Sequence, residues 1–179
     1  MCYPASFVLT KDRVFWSMLT DSHTEIVAEF GLHEDGVRGV NLVKIEISPR
    51  DGNLASDPAT WVYKLDQDRA PVWYDAAECE RRARAALVDW ASKRIVTVDL
   101  GELTTPGKYW ICGSARVDYV GGSARVDYVG DSARVDYVGD SATVTKTGRG
   151  ATVAKPESPM AVVIDRTGSV AVCSVGGSA

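Results

Sequence analysis

Cys2 is the residue of this chain whose type and position could most directly do chemistry. A methionine before a small side chain is usually removed, and loss of Met1 would leave Cys2 with a free α-amino group beside its thiol. One residue would then supply both a nucleophile and a base. His23 and His33 are the two histidines that could activate such a thiol. The candidate catalytic residues are therefore Cys2, His23 and His33.

The two histidines also have a structural interpretation. Ser22 and Glu25 have the spacing of a helix-capping box, which would place His23 in the first turn of a helix, where histidines are commonly exposed. His33 follows Gly31, at which that helix should end, so it would lie in a connecting loop. Both interpretations stay open at this point.

Asp66 and Asp68 are separated by one residue in a polar loop. If the loop is extended, both carboxylates point the same way and could hold a hard cation, although pairing with Arg69 is the simpler interpretation. The chain contains no phosphate-binding glycine loop, metalloprotease helix or dinucleotide fingerprint. We accordingly predict no cofactor and no metal.

The segment from Cys2 to Trp16 reads CYPASFVLTKDRVFW and predicts a cysteine followed by a two-stranded hairpin. It resembles the opening of the N-terminal-nucleophile hydrolases. That resemblance implies a hydrolase or amidotransferase-like enzyme that uses Cys2. Those enzymes usually carry arginine, asparagine and aspartate after the second strand, where this chain reads SMLTDS.

The elements that would position these residues form an α+β head, which we assign to residues 1–112. Hydrophobic periodicity and capping signals predict the order β-β-α-β-β-α-β-β, with an antiparallel sheet and two helices. The second helix begins after Asp75 and runs from Ala76 to about Ala91. All five tryptophans lie in this region and should supply much of its core.

Residues 113–179 form an all-β tail that begins with three copies of a nine-residue unit, SARVDYVGG, SARVDYVGD and SARVDYVGD. Strict alternation predicts that Ala115, Val117 and Tyr119 share one face of a strand, with Val120 on the other. The Gly-Gly and Gly-Asp pairs between units are turn dipeptides. Degraded copies continue toward the C-terminus.

Two architectures accommodate the repeat. In an antiparallel meander, Asp118 would lie opposite Arg125 and Arg116 opposite Asp127, so every cross-strand pair is complementary. In a parallel β-solenoid, each unit forms one side of a coil and like residues stack, with diagonal Arg–Asp contacts relieving the repulsion between like charges. Pair energetics alone favour the meander.

The recurring phrase Gly-(Asp/Ser)-(Ser)-Ala-Arg-Val resembles the Gly-x-Ala-x-Val arrays of uncharacterised phage and actinobacterial proteins that carry a small head on a β-solenoid. This resemblance narrowly favours the solenoid and implies an association with phage. The unit length also matches calcium-binding nonapeptide rolls, but the glycine and aspartate positions of that motif are absent.

Composition narrows the function classes. The net charge is −4 without a basic stripe, so no nucleic-acid partner is indicated. No segment is long and apolar enough to span a membrane, and no signal-peptide layout begins the chain, so we expect a cytoplasmic protein. Cys2, Cys79, Cys112 and Cys173 lack zinc-binding spacing and should be free thiols.

Near-identical tandem copies are typical of a spacer or a surface, because a catalytic site is rarely encoded three times. We therefore predict a binding or structural module in which the head is displayed on a repeat tail that engages a protein partner. The alternative is the Cys2 hydrolase. The exposed last strand, Ser169–Val175, could also pair with a second copy, so a homodimer is possible.

Overall fold

The computed structural model describes residues 5–34, 41–168 and 171–176. The chain divides into two compact units, Met1–Ser92 and Lys93–Ala179. This division lies before the predicted boundary at residues 112 and 113, because the strands from Ile95 onward pair with the repeats.

The first unit contains a four-stranded antiparallel sheet in the order β2-β1-β3-β4. Its elements are β1 (Ala5–Leu9), β2 (Val14–Phe15), α1 (His23–Glu29), β3 (Val43–Ser48), a 3₁₀ turn (Pro58–Thr60), β4 (Val62–Leu65) and α2 (Ala76–Arg94), whose last two residues belong to the second unit. The two helices and the antiparallel sheet match the predicted head.

Both helices of the first unit begin at the predicted caps. The Ser22 hydroxyl accepts a hydrogen bond from the Glu25 amide at 3.4 Å, and the Asp75 carboxylate accepts one from the Glu78 amide at 2.9 Å. These side chains satisfy backbone donors that the helix itself leaves open. Gly31, with φ of 59°, follows the end of α1.

Burial in the first unit differs between its strands. All five residues of β1 are buried, whereas β3 buries every second residue. The indole rings of Trp61 and Trp90 meet edge to face with centroids 6.0 Å apart, and both side chains are fully buried. Tryptophan therefore does supply this core, as the composition predicts.

The second unit is a parallel β-solenoid of about four turns, so the solenoid is correct and the meander is wrong. Its strands are β5 (Ile95–Val96), β6 (Leu100–Leu103), β7 (Gly107–Ile111), β8 (Arg116–Val120), β9 (Ala124–Val129), β10 (Arg134–Val138), β11 (Thr143–Lys146), β12 (Thr152–Val153), β13 (Val162–Asp165) and β14 (Val172–Val175).

These strands form two sheets on opposite sides of the coils. One has the order β12-β10-β8-β6, and the other has the order β14-β13-β11-β9-β7-β5. All neighbours are parallel except β13 and β14, which are antiparallel. The segment from Ile95 to Leu103 is split between β5 in one sheet and β6 in the other.

One nine-residue unit is half a coil. Val135 of the third repeat pairs with Val117 of the first repeat. Val126 of the second repeat pairs with Tyr109 and Val144 in the other sheet. Equivalent residues in successive coils are therefore 18 positions apart. The first and third repeats therefore stack directly on each other.

The strict alternation predicted for the unit is wrong at its end. Ala115, Val117 and Val120 are buried, and Tyr119 is only half-buried. Nine is an odd number, so an unbroken period of two would turn the same residue inward in one unit and outward in the next. One break in the alternation of each repeat keeps its alanine and both of its valines in the core.

The corners between units use a left-handed backbone at every ninth residue. Gly113, Gly122, Asp131 and Asp140 have φ values of 66°, 58°, 53° and 48°. Asp131 and Asp140 each accept a hydrogen bond from the amide of the corner glycine one coil earlier, at 2.9 and 2.7 Å. Aspartate tolerates this conformation better than most residues, and here its carboxylate also ties neighbouring coils together.

Candidate functional site

The first and third repeat units place matching polar side chains on one face of the solenoid. Arg134 pairs in register with Arg116 and Tyr137 with Tyr119, and an aspartate lies between arginine and tyrosine in each strand. We call this set the Arg–Asp–Tyr face; its residues are Arg116, Asp118, Tyr119, Arg134, Asp136 and Tyr137. The face exists because one coil holds two repeats, so that every second repeat lies on the same side of the solenoid.

Ion pairs across the coils offset the stacking of like charges on this face. Arg116 donates through Nε to Asp136 Oδ2 at 2.7 Å and also lies 3.1 Å from Asp118. Arg134 donates to the other oxygen of Asp136. The Arg116–Asp136 contact is a diagonal Arg–Asp contact of the kind expected of a solenoid, so that expectation is confirmed, whereas the other two pairs lie within one strand.

The two carboxylates of the face differ in environment. The Asp136 side chain is only 8% exposed, whereas that of Asp118 is 59% exposed. Hydrogen bonds from Arg134 and then from Arg116 lower the pKa of Asp136, and the same pairing raises the pKa of Arg116. The carboxylate at the centre is thus held ionised, while the side chains of both arginines remain more than half exposed.

The tyrosines of the face also differ. The Tyr119 hydroxyl donates to Asp140 at 2.9 Å, and this hydrogen bond raises the pKa of Tyr119. Tyr137 is 52% exposed. The face therefore offers one fixed and one outward-facing aromatic ring, next to two partly exposed guanidinium groups.

The opposite sheet has the same ion-pair design with different residues. Lys108 lies 3.3 Å from Asp127, and Arg125 in the strand of Asp127 donates to the same carboxylate. The strand of the second repeat therefore pairs on both sides with strands of different sequence. Only the face formed by the first and third repeats carries two copies of Arg-x-Asp-Tyr.

Of the three predicted catalytic residues, the structure describes His23 and His33. Cys2 lies outside the described residues, so its role stays a prediction. His33 is exposed beyond the end of α1. His23 is 10% exposed, with Nε2 at 3.1 Å from the Ile45 carbonyl oxygen and Nδ1 at 3.3 Å from Asp66.

The position of His23 gives it a structural role. Both ring nitrogens face acceptors, so the imidazole ties the start of α1 to β3 and to the loop after β4. Asp66 is also 3.3 Å from Lys64, so its carboxylate belongs to an ion-pair cluster. Within residues 5–34, 41–168 and 171–176, no group of three or more His, Cys, Asp or Glu side chains could hold a metal ion.

A cleft of about 480 Å³ lies in the first unit beside the start of α2. Its walls include the hairpin residue Lys11, Trp73, and Arg82, which donates to the Thr10 and Lys11 carbonyl oxygens. Cys79 also lines it, and burial raises the pKa of this thiol, which keeps it protonated. The cleft therefore lacks an activated nucleophile among its described residues.

Cys79, Cys112 and Cys173 are free thiols, as predicted. Burial raises the pKa of Cys112 to about 12, so this thiol too is unreactive at neutral pH. Neither helix in the described segments is long and apolar enough to cross a membrane.

Sequence reasoning identified the arginines, aspartates and tyrosines of the repeat but did not assign them to a shared face. The signal was the 18-residue separation of the first and third units, which follows once one unit is recognised as half a coil. The bond from Tyr119 to Asp140 was not foreseen, because Asp140 serves as a turn residue in the sequence pattern.

No family model, curated protein or solved structure matches this chain.

Proposed function

We propose that this protein is a binding module that engages a protein partner through the Arg–Asp–Tyr face, with the head displayed at the other end of the sequence. One observation carries the proposal. Two stacked strands repeat arginine, aspartate and tyrosine at a fixed spacing, and an ion-pair network holds them. Tyrosine and arginine are the residues that most often dominate the energetics of protein interfaces.

The network supports recognition because it orders the side chains before a partner arrives. Asp136 accepts from both arginines, so the guanidinium groups are oriented in the free protein. An ordered side chain loses less conformational freedom on binding than a mobile one. Each guanidinium has further donors that can meet carboxylates or backbone carbonyls of a partner.

The charge of the face indicates the kind of partner. The arginines are balanced by aspartates, which favours a mixed polar protein surface over a polyanion such as nucleic acid. The resemblance of the repeat to phage and actinobacterial head-plus-repeat proteins directs the search toward proteins of a phage and its host.

Photo-crosslinking tests the proposal while the partner is still unidentified. A benzophenone amino acid in place of Tyr137 reports what touches the face, and the same probe in place of Arg125 serves as the control on the opposite sheet. We expect one protein species to be captured at position 137 and not at 125. Equal capture at both positions would contradict the assignment of the face.

Variants then measure the contribution of the face to binding of the captured partner. Arg134→Gln and Tyr137→Ala should each weaken the Kd by roughly thirtyfold, the loss typical of a central interface residue. Arg125→Gln is the matched control, since it removes the same residue type at the same repeat position in the other sheet. A loss equal to that of Arg134→Gln would count against the proposal.

A deletion sharpens the test further. Removal of residues 123–140 takes out one complete coil of 18 residues, so the strands that follow can keep their pairing. This variant lacks the second row of the face and should lose binding while it remains folded. Full binding by the shortened protein would show that the partner uses another surface, such as the head.

A further inference from the structure

The last strand of the solenoid ends its sheet at an open edge. β14 pairs only with β13 among the described residues, and it does so antiparallel, in contrast to the parallel coils before it. None of its four residues is buried, and Val172 and Val175 are 60% and 58% exposed. A strand with two exposed valines thus forms one edge of this six-stranded sheet.

The hydrogen bonds of β13 show which backbone groups of β14 face outward. The Val162 amide donates to the carbonyl oxygen of Ala142, just before β11, and the Arg166 amide donates to that of Lys146 in β11, so the even-numbered amides of this segment point toward β11. Gly176 donates to Ala161, which makes 161 and 176 a hydrogen-bonded pair in the antiparallel register. Because such pairs alternate along a ladder, the amides and carbonyls of Cys173 and Val175 point away from β13.

This edge lacks the charges, proline and bulges that often prevent pairing with another chain. Natural edge strands are protected by lysine, proline, inward charges or bulges. The strand reads Val-Cys-Ser-Val, without a charge or a proline, and the register of β13 with β14 is continuous over its four residue pairs. Its backbone therefore presents an unprotected template for an added strand.

We propose that β14 pairs with β14 of a second copy of this chain, antiparallel and about a twofold axis at Ser174. This register places Cys173 against the partner's Val175 and Val175 against the partner's Cys173, so both outward-facing residues are hydrogen-bonded. A second copy fits because antiparallel pairing of identical strands is self-complementary and this strand has no charge to repel its own image.

The dimer extends one sheet of the solenoid across two chains. It is independent of the Arg–Asp–Tyr face, which belongs to the other sheet. The assembly would carry two copies of that face, so a partner with two matching sites would bind with the advantage of an intramolecular second contact.

Sedimentation of the 179-residue chain tests the dimer, in the presence of a reductant so that oxidation of Cys173 cannot join the copies. Val175→Pro removes a donor that faces outward while it leaves the β13–β14 ladder its donors, which is the position where an edge strand tolerates proline. We expect a concentration-dependent dimer for the natural chain and a dimerisation Kd at least roughly tenfold weaker for this variant.

Two further variants keep the test decisive. Val175→Lys leaves every backbone donor in place and should also weaken the dimer, by charge repulsion between copies. Val98→Lys changes a valine that is 71% exposed elsewhere in the unit and should dimerise as the natural chain does. A monomer at all concentrations, or a dimer that Val175→Pro and Val175→Lys both leave intact, overturns the proposal.

Discussion

The two units of this protein are stabilised in opposite ways. In the first unit each contact occurs once: His23 links three elements, and Trp61 meets Trp90 in the core. In the second unit the same contacts recur, since each of the three tandem repeats buries an alanine and two valines and both sheets carry an ion pair between neighbouring coils. We expect the first unit to respond to single changes as a whole and the second to respond locally.

The largest effect should come from the unique core contact. Trp90→Ala removes a fully buried side chain and should lower the free energy of unfolding of the first unit by about 3–5 kcal/mol. Hydrogen exchange of the amides in β1, β3 and β4 measures it. Val88→Ala, on the exposed side of the same helix, should stay within about 0.5 kcal/mol of the natural chain. Equal effects would remove the contrast between core and surface.

A pair of corner glycines tests how closely the second unit repeats itself. Gly113→Ala meets no atom within 4 Å, so it should cost only the strain of a left-handed residue, about 1 kcal/mol. Gly122→Ala would place its Cβ in steric conflict with the Thr104 carbonyl oxygen, so the total should rise to about 3 kcal/mol. Urea unfolding gives both values. If they agree, the corners are more alike than their contacts indicate.

The two histidines separate a structural role from an exposed one. His23→Ala leaves the Ile45 carbonyl without this donor and removes the link to Asp66, so we expect a loss of about 1–2 kcal/mol. His33→Ala should change the free energy of unfolding by less than about 0.5 kcal/mol. Thermal unfolding compares them. If the free energy is unchanged for His23→Ala, its contacts add nothing to stability.

The smallest effects should appear as an acid sensitivity of the second unit. Hydrogen bonds lower the pKa of Asp136, Asp140 and Asp165, the last to about 2. A carboxyl group whose pKa is lower in the folded chain stabilises the fold fully above its unfolded pKa, about 4, and loses that contribution as the pH falls toward the folded pKa. Melting temperatures should therefore be constant above about pH 5 and fall below about pH 4.

Asp165→Asn provides the control for this pH dependence. The carboxylate of Asp165 accepts from Thr167 and from Lys146, and these bonds disappear or weaken in the amide variant. The variant should start from a lower melting temperature at neutral pH and lose less on acidification. A slope equal to that of the natural chain would exclude Asp165 as a contributor.

The head was predictable because its signals are local. The capping residues Ser22 and Asp75 and the alternation of β3 each act within a few residues, and the structure confirms them. The role of His23 was not predictable, because its partners come from β3 and from the loop after β4. Contacts between elements distant in sequence leave no periodic trace.

In the tail, local signals favoured the wrong strand pairing. Cross-strand energetics within one hairpin favoured the meander, since Asp118 and Arg125 would then be neighbours. In the solenoid the relief of like charges comes from one coil away, where Arg116 reaches Asp136. The break in alternation at Tyr119 and Val120 was not predictable either. It depends on how a nine-residue half-coil closes and not on the pattern of the strand itself.

The equality of one repeat unit to half a coil constrains how this gene can lengthen. Copying errors in tandem sequence add or remove whole units, and an odd number of them would carry every later strand to the opposite side. The end strand β14 and the Arg–Asp–Tyr rows would then exchange sides relative to the coils before them. Even steps preserve all of these relations, so descendants of this chain should differ from it by pairs of units.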